Sequence, residues 1–182
     1  MANDFVLDIS RLRDKARKEI EKGPITDAYG ADIKRVIDVC NEALATELVC
    51  VLRYKRHYFT ATGLDAPQVA AEFLQHANEE QGHADQLAHR ITQLGGSPDF
   101  NPATLASRSH AEYDDSGDLL EMVKEDLIAE RIAIASYTEI IQWLGNDDPT
   151  TRRMFEGILE VEEEHADDLL SFLQNMHPRN SS

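Results

Sequence analysis

Residues 80–85 have the sequence EQGHAD, and residues 162–167, 82 positions later, have the sequence EEEHAD. Both stretches share the pattern Glu-x-x-His-Ala-Asp, and a Phe lies seven residues before each Glu, at Phe73 and Phe155. On a helix, residues three apart lie about 60° apart around the axis and about 4.5 Å along it. Each motif therefore directs a carboxylate and an imidazole towards one point, and the repeat predicts two helices that present the same pair of groups.

A second pair of repeated elements precedes these motifs. Leu44-x-x-Glu47 is followed by Tyr54, and Leu127-x-x-Glu130 is followed by Tyr137, at an offset of 83 residues. Each half of the chain therefore supplies one single Glu and one Glu-x-x-His. The duplication predicts a pseudo-two-fold helical bundle in which six side chains meet: Glu47, Glu80, His83, Glu130, Glu162 and His165.

Four carboxylates and two imidazoles in the core of a bundle are typical of a metal site. Buried charges are tolerated when they coordinate metals, and two divalent cations would neutralise the four carboxylates. A single Glu-x-x-His in an acidic helical protein is more often a solvated surface pair. Two copies, each with its own upstream Glu, favour the metal site instead.

Hydrophobic spacing and helix-breaking residues place these motifs on four long helices, A to D, with a shorter helix before them. Helix B begins after Asp65, a candidate N-cap, and helix C begins near Ser116 or Asp118. A loop of about 20 residues between B and C, with room for one helical turn, fits a crossover along the whole bundle. The predicted ranges are 4–22 for the short helix, 31–62 for A, 66–94 for B, 97–117 for the loop, 118–144 for C and 149–176 for D.

The sequence therefore predicts an all-α fold, a four-helix bundle of two helical hairpins with a long B–C crossover and a short N-terminal helix. Three segments are expected: an N-terminal extension over residues 1–30, the bundle over residues 31–177 and a tail over residues 178–182.

The charge balance limits the classes of partner. The 182 residues carry a formal net charge of −16, which repels nucleic acid and anionic lipid and attracts cations. The first ten residues lack the pattern of a signal peptide, and no stretch approaches the roughly 18 apolar residues of a membrane span. We expect a cytoplasmic protein that does not bind membranes and for which nucleic acid is an unlikely partner. The mixed charge of the N-terminal helix does not change this expectation.

The two cysteines, Cys40 and Cys50, both fall on helix A. Ten residues of helix span roughly 15 Å, whereas the Cα atoms of a disulfide lie about 4.4–6.8 Å apart. The two cysteines are therefore not expected to pair with each other. The favoured interpretation is that both are small buried hydrophobic side chains; a redox or metal role for Cys50 is the alternative.

The six-residue pattern resembles that of the ferritin-like di-iron carboxylate proteins. The resemblance is closest to bacterioferritins and covers about residues 37 to 174, including Glu47-Leu48-Val49 with Tyr54 and both Glu-x-x-His motifs. It implies two Fe ions per subunit at the six residues named above, with Mn or Zn as possible substitutes. It also implies oxidation of Fe(II) by hydrogen peroxide or dioxygen, and storage of the ferric mineral inside a protein shell, which protects against oxidative stress.

Three features depart from the bacterioferritin pattern. Gln81 stands where that family carries its haem-ligating Met, so no haem is expected. Few residues follow helix D in this sequence, and Pro178 interrupts them, so the fifth helix of the 24-subunit cages is not expected; the N-terminal extension is additional. This combination resembles Dps-like proteins that carry a bacterioferritin-type site, and it implies a homo-oligomeric shell of 12 subunits.

Further residues lie on the faces that carry these motifs. Tyr54 and Tyr137 are interpreted as core tyrosines bound to a carboxylate, or alternatively as tyrosines that donate an electron or hold a ligand at the metal site; Tyr54 is the stronger candidate. His76 and Glu79 are candidates for an iron relay. Other assignments are a structural role for His57, supporting contacts from Asp85 and Asp167, and a surface position for Glu163 and Glu164.

Two functions on this scaffold remain open from the residues. The first is a ferroxidase with iron storage. The second is a manganese catalase or another di-metal oxidase, because carboxylate and imidazole ligands suit both metals. A DNA-compacting protein is disfavoured by the negative charge.

Overall fold

The computed structural model describes residues 6–176, and within this range all regular secondary structure is helical, with no strand. A 3₁₀ turn, Ile20–Lys22, follows the first helix. The all-α prediction is confirmed. The helices are α1 (Ile9–Lys18), α2 (Ile33–Thr60), α3 (Ala66–Gln93), α4 (Leu105–Arg108), α5 (Leu119–Leu144) and α6 (Pro149–Met176).

The ends of the helices follow local capping chemistry. The side chain of Asp32 accepts a hydrogen bond from the backbone N–H of Arg35 at the start of α2, and Asp118 caps α5 in the same way. Gly95, with a positive φ of 82°, ends α3 because glycine adopts this conformation without a steric cost.

The N-cap position predicted for Asp65 is confirmed, but its side chain makes no capping hydrogen bond. Its backbone is already helical, with φ −88° and ψ −7°. A capping side chain needs the more extended backbone of an N-cap residue to reach the free N–H groups.

The long helices form two hairpins, because α2 packs along α3 and α5 packs along α6. Two apolar clusters fill the interior. One contains Leu44, Leu87 and Phe155; the other contains Phe73 and Leu169. On each of the four helices the predicted metal ligands fall between the residues of the two clusters, so the apolar core fixes the position of the site from both ends.

The crossover between α3 and α5 runs along α2. Arg108 donates to the carbonyl oxygen of Asn41 (3.0 Å), and the N–H of His110 donates to Thr46 Oγ1 (2.9 Å). Arg53 then donates to the carbonyl oxygen of Glu112 (2.9 Å). These contacts ascend in order along both segments, which accounts for the length of the loop: it returns the chain to the far end of the bundle.

The N-terminal segment is attached to the turn between α5 and α6. Tyr29 donates to Asp148 Oδ2 (2.8 Å), and the N–H of Gly30 donates to the carbonyl oxygen of Asp147 (3.1 Å). Helix α1 itself contains no buried residue. The division at residues 30 and 177 stays a prediction, and the proposed tail at 178–182 lies outside the described residues.

Within residues 6–176, no helix combines the length and apolar character needed to cross a lipid bilayer.

Candidate metal centre

Six buried side chains from the four long helices meet at the middle of the bundle. Helix α2 supplies one, α3 two, α5 one and α6 two, and each of these residues is at most 5% exposed. They are the six residues that the repeated motifs predict: Glu47, Glu80, His83, Glu130, Glu162 and His165.

The first half of the centre is built around His83. Its Nδ1 atom lies 3.1 Å from Glu162 Oε1, 3.3 Å from Glu47 Oε2 and 3.6 Å from Glu80 Oε2. A single imidazole nitrogen thus faces carboxylates from three helices.

The second half repeats this arrangement around His165. Its Nδ1 atom lies 3.5 Å from Glu80 Oε1, 3.6 Å from Glu162 Oε2 and 3.9 Å from Glu130 Oε1. Each half contains one imidazole and three carboxylates whose ligand atoms lie within 4.8 Å of one another.

Glu80 and Glu162 belong to both halves. Both oxygens of Glu162, as well as Glu80 Oε1 and His165 Nδ1, are buried without a hydrogen-bond partner among the described residues. Unpaired buried polar atoms are costly, so these atoms fit a site whose ligands are completed by cations. Two shared carboxylates between two histidines suit a pair of metal ions, iron among them.

Two tyrosines hold the outer carboxylates of the centre. Tyr54 on α2 donates its O–H to Glu130 on α5, and Tyr137 on α5 donates to Glu47 on α2. Burial is the main cause that raises the pKa of both phenols, and the carboxylates add to it. Both tyrosines therefore act as hydrogen-bond donors, which agrees with their interpretation as core tyrosines bound to a carboxylate.

Without a metal the centre holds extra protons. Burial, reinforced by Glu80, raises the pKa of Glu47 to about 8, and burial also raises that of Glu130. Burial opposes the charge on the two imidazoles, but the surrounding carboxylates outweigh it. They raise the pKa of His83 far above its ordinary value and that of His165 to about 10.

The two shared carboxylates behave differently. Burial opposes the ionisation of Glu80 and Glu162, and a neighbouring carboxylate adds to this effect. Close contacts with neighbouring side chains, both charged imidazoles among them, nevertheless leave the pKa of each below its ordinary value. These two carboxylates stay charged, and cations have to displace protons mainly from the other four groups.

One contact at the centre was not predicted from sequence. Glu79 Oε2 lies 2.8 Å from His165 Nε2, a contact that orients the ring so that Nδ1 faces the carboxylates.

The sequence analysis placed Glu79 in an iron relay with His76. The structure puts His76 against His165 in a stack with a centroid distance of 3.9 Å, and burial lowers the pKa of His76 to about 3.

The other singled-out residues lie away from the centre. His57 Nδ1 is 2.8 Å from Asp126 Oδ2, and Asp126 also pairs with Arg53, which agrees with a structural role for His57. Asp85 is exposed and accepts a hydrogen bond from Gln81. The helix turns it away from the imidazole two residues before it, and no contact of Asp85 with the centre is found among residues 6–176. Exposed positions are found for Glu163, Glu164 and Asp167.

Both cysteines are buried free thiols. Burial raises the pKa of Cys40 to about 12 and also raises that of Cys50. Protonated, buried thiols behave as small apolar side chains, which agrees with the favoured interpretation of both.

The chain is similar to several known proteins. The sequence pattern of the ferritin-like domain family matches residues 37–177. The nutrient stress-induced DNA-binding protein of Synechococcus is 30% identical over 144 residues, which are 76% of this chain and 81% of the relative. A dodecameric thioferritin, the bacterioferritin-related protein of Bacteroides fragilis, has a TM-score of 0.78 and 32% identity, over 81% of this chain and 89% of that one.

A second solved structure carries a known metal centre. The bacterioferritin of Desulfovibrio desulfuricans, whose structure describes a di-iron site, has a TM-score of 0.70 and 25% identity, over 79% of this chain and 81% of that one. The family match covers α2 from residue 37 onward and the whole of α3, α5 and α6, and so includes all six residues of the centre. The chain therefore belongs to the ferritin-like family of iron-storage proteins, which includes the bacterioferritins and the Dps proteins.

Proposed function

We propose that this protein oxidises Fe(II) at an intra-subunit di-iron centre and stores the ferric product inside a protein shell. The observation that carries the proposal is the sharing of Glu80 and Glu162 between the two halves of the centre. Two shared carboxylates hold two cations close enough to react with one oxidant molecule. Glu47 and His83 complete one half, and Glu130 and His165 complete the other.

The bound iron pair supplies two electrons in one event, which avoids the release of a one-electron radical. Hydrogen peroxide takes up two electrons and two protons and yields two water molecules; dioxygen takes up the same and yields hydrogen peroxide. The protein contributes the positions of the ligands. Tyr54 and Tyr137 fix the outer carboxylates, Glu79 fixes the ring of His165, and the apolar clusters above and below the centre exclude water.

An iron-loading experiment tests this function. Metal-free protein that receives Fe(II) with hydrogen peroxide or air is expected to develop ferric absorbance and to retain many more than two irons per chain after gel filtration. Retention of two irons per chain or fewer would contradict storage. Manganese-loaded protein that releases dioxygen from peroxide, while iron-treated protein retains no mineral, would favour the manganese catalase instead.

The expected assembly is a closed shell of 12 subunits. Support comes from the similarity to the dodecameric thioferritin of Bacteroides fragilis and from the N-terminal extension, which departs from the bacterioferritin pattern. Symmetric closure also covers exposed apolar side chains such as Trp143 and Ile128. With 20.5 kDa per chain, light scattering is expected to give about 246 kDa. A mass near 492 kDa, for 24 subunits, or near 41 kDa, for a dimer, would contradict this assembly.

Three further expectations belong to this proposal. Some relatives are named for DNA binding or DNA protection, but the formal net charge of −16 disfavours contact with phosphate groups at physiological salt. The cytoplasm is the expected compartment, and haem is not an expected cofactor.

A further inference from the structure

A second group of metal-ligand side chains lies beside the proposed di-iron centre. Glu72 and His76 on α3 and Asp168 on α6 offer ligand atoms within 4.8 Å of one another. His76 Nε2 lies 3.5 Å from Glu72 Oε1 and 3.9 Å from Asp168 Oδ2. None of these three residues is among the six ligands of the centre.

The hydrogen bonds of His76 determine which ring nitrogen carries the proton. Its Nδ1 atom lies 3.3 Å from the hydroxyl oxygen of Tyr54, and Tyr54 donates its only hydroxyl proton to Glu130. The tyrosine oxygen therefore accepts from His76, so Nδ1 carries the proton and Nε2 presents a lone pair.

That lone pair faces two carboxylates. His76 is fully buried, and its Nε2 atom has no hydrogen-bond partner among residues 6–176. A lone pair opposite two carboxylate oxygens is repulsive unless a proton or a metal ion lies between them. One imidazole and two carboxylates form a donor set that suits Fe(II), Mn(II) or Zn(II).

The group is open to ions on one side. The side chain of Glu72 is 25% exposed and that of Asp168 is 52% exposed, whereas His76 closes the inner side. The neighbouring surface of α6 is acidic through Glu160, Glu163, Glu164 and Asp167. A clustered negative surface raises the local concentration of cations, so ions from solution can reach the two carboxylates first and the imidazole behind them.

We propose that Glu72, His76 and Asp168 bind a third divalent transition-metal ion, separate from the pair in the centre. The ring of His76 stacks on that of His165 with a centroid distance of 3.9 Å. The third ion would therefore be separated from the centre by the ring of His76. Binding at this site requires only the geometry described here, and it does not depend on oxidation of iron.

Zinc is a suitable probe, because it does not change oxidation state and accepts the same ligands. Crystals of the assembled protein soaked in Zn(II) are expected to show, in anomalous difference maps at the zinc edge, a peak between Glu72, His76 and Asp168 in addition to the peaks of the centre. The double variant Glu72→Gln with Asp168→Asn is expected to lose this peak and to keep the others. The matched control Glu163→Gln alters the same acidic surface without touching His76 and is expected to keep all of them.

Calorimetry provides the corresponding measurement in solution. The double variant is expected to bind one Zn(II) fewer per subunit than the wild-type protein, and the control to bind the same number. A wild-type crystal without the third peak, or a double variant that retains it, would overturn the inference. Failure of iron oxidation would contradict the proposed function alone, because zinc binding at this site is measured independently.

Discussion

The variants Glu130→Ala and His165→Ala are expected to lose rapid oxidation of Fe(II), with initial rates at least about 100-fold below wild type. Changes to residues that merely support metal ligands cost about 10–100-fold, and these variants remove a proposed ligand itself. Both residues belong to the same half of the centre, so either change leaves one iron position incomplete. The measurement is stopped-flow absorbance of the ferric product after addition of two Fe(II) per subunit.

The helices are expected to survive both substitutions. Burial raises the pKa of Glu130 well above its ordinary value, so the metal-free fold does not gain from its charge. Circular dichroism and light scattering should therefore match the wild type. Glu163→Ala is the matched control, since Glu163 lies on the same helix as His165 but is exposed. If both variants oxidised Fe(II) at wild-type initial rates, Glu130 and His165 would not be iron ligands.

The sequence predicted the four long helices and the residues that meet between them because each half of the chain repeats the same pattern. Helical spacing places Glu80 and His83 on one face, and the repeat places Glu162 and His165 on the equivalent face of the other hairpin. A buried helix face that carries charged side chains has to pack in the core against the equivalent face of the other hairpin. The convergence of the six side chains in the structure follows from this constraint.

Contacts between hairpins could not be predicted in the same way. Glu79 lies next to Glu80 in sequence, yet its partner is His165, 86 residues away. The cross-pairing of Tyr54 with Glu130 likewise depends on how far the hairpins are shifted along each other. Helical spacing determines the direction in which a side chain points from its helix axis. How far two packed helices are shifted along each other depends on the packing of the whole core.

The metal-free protein is expected to lose stability as the pH rises from about 5 to about 8. The folded-state pKa of Glu47 is raised from 4.5 to about 8, so between these values the folded state binds a proton that the unfolded state has released. The contribution of Glu47 then falls with pH by at most about 1.4 kcal/mol per pH unit, at most roughly 4 kcal/mol across the window, and the lowered pKa of His76 acts in the opposite direction below pH 6.5. The raised pKa of His165 acts in the same direction above pH 6.5.

A neutral substitution isolates this contribution. Glu47→Gln keeps an oxygen that accepts from Tyr137 but removes the ionisation, so its loss of stability between pH 5 and pH 8 should be clearly smaller than that of the wild type. Glu163→Gln, which removes an exposed charge, should leave the wild-type slope unchanged. The measurement is the thermal unfolding midpoint at each pH with a chelator present. A wild-type midpoint that rises from pH 5 to pH 8 would contradict the raised pKa assigned to Glu47.

Zinc is expected to reverse the dependence of stability on pH. A bound cation requires the Glu47 carboxylate to be ionised, and on both imidazoles the nitrogen that faces the metal has to be free of a proton. Those protons leave more readily as the pH rises, so the stabilisation by Zn(II) should grow from pH 6 to pH 8. The two positions of the centre, at 100-fold excess of zinc over their dissociation constants, contribute roughly 5 kcal/mol, or about 10–20 °C in the unfolding midpoint for a chain of this length. Equal stabilisation at both pH values would mean that zinc displaces no protons, and the buried carboxylates and imidazoles would then not be its ligands.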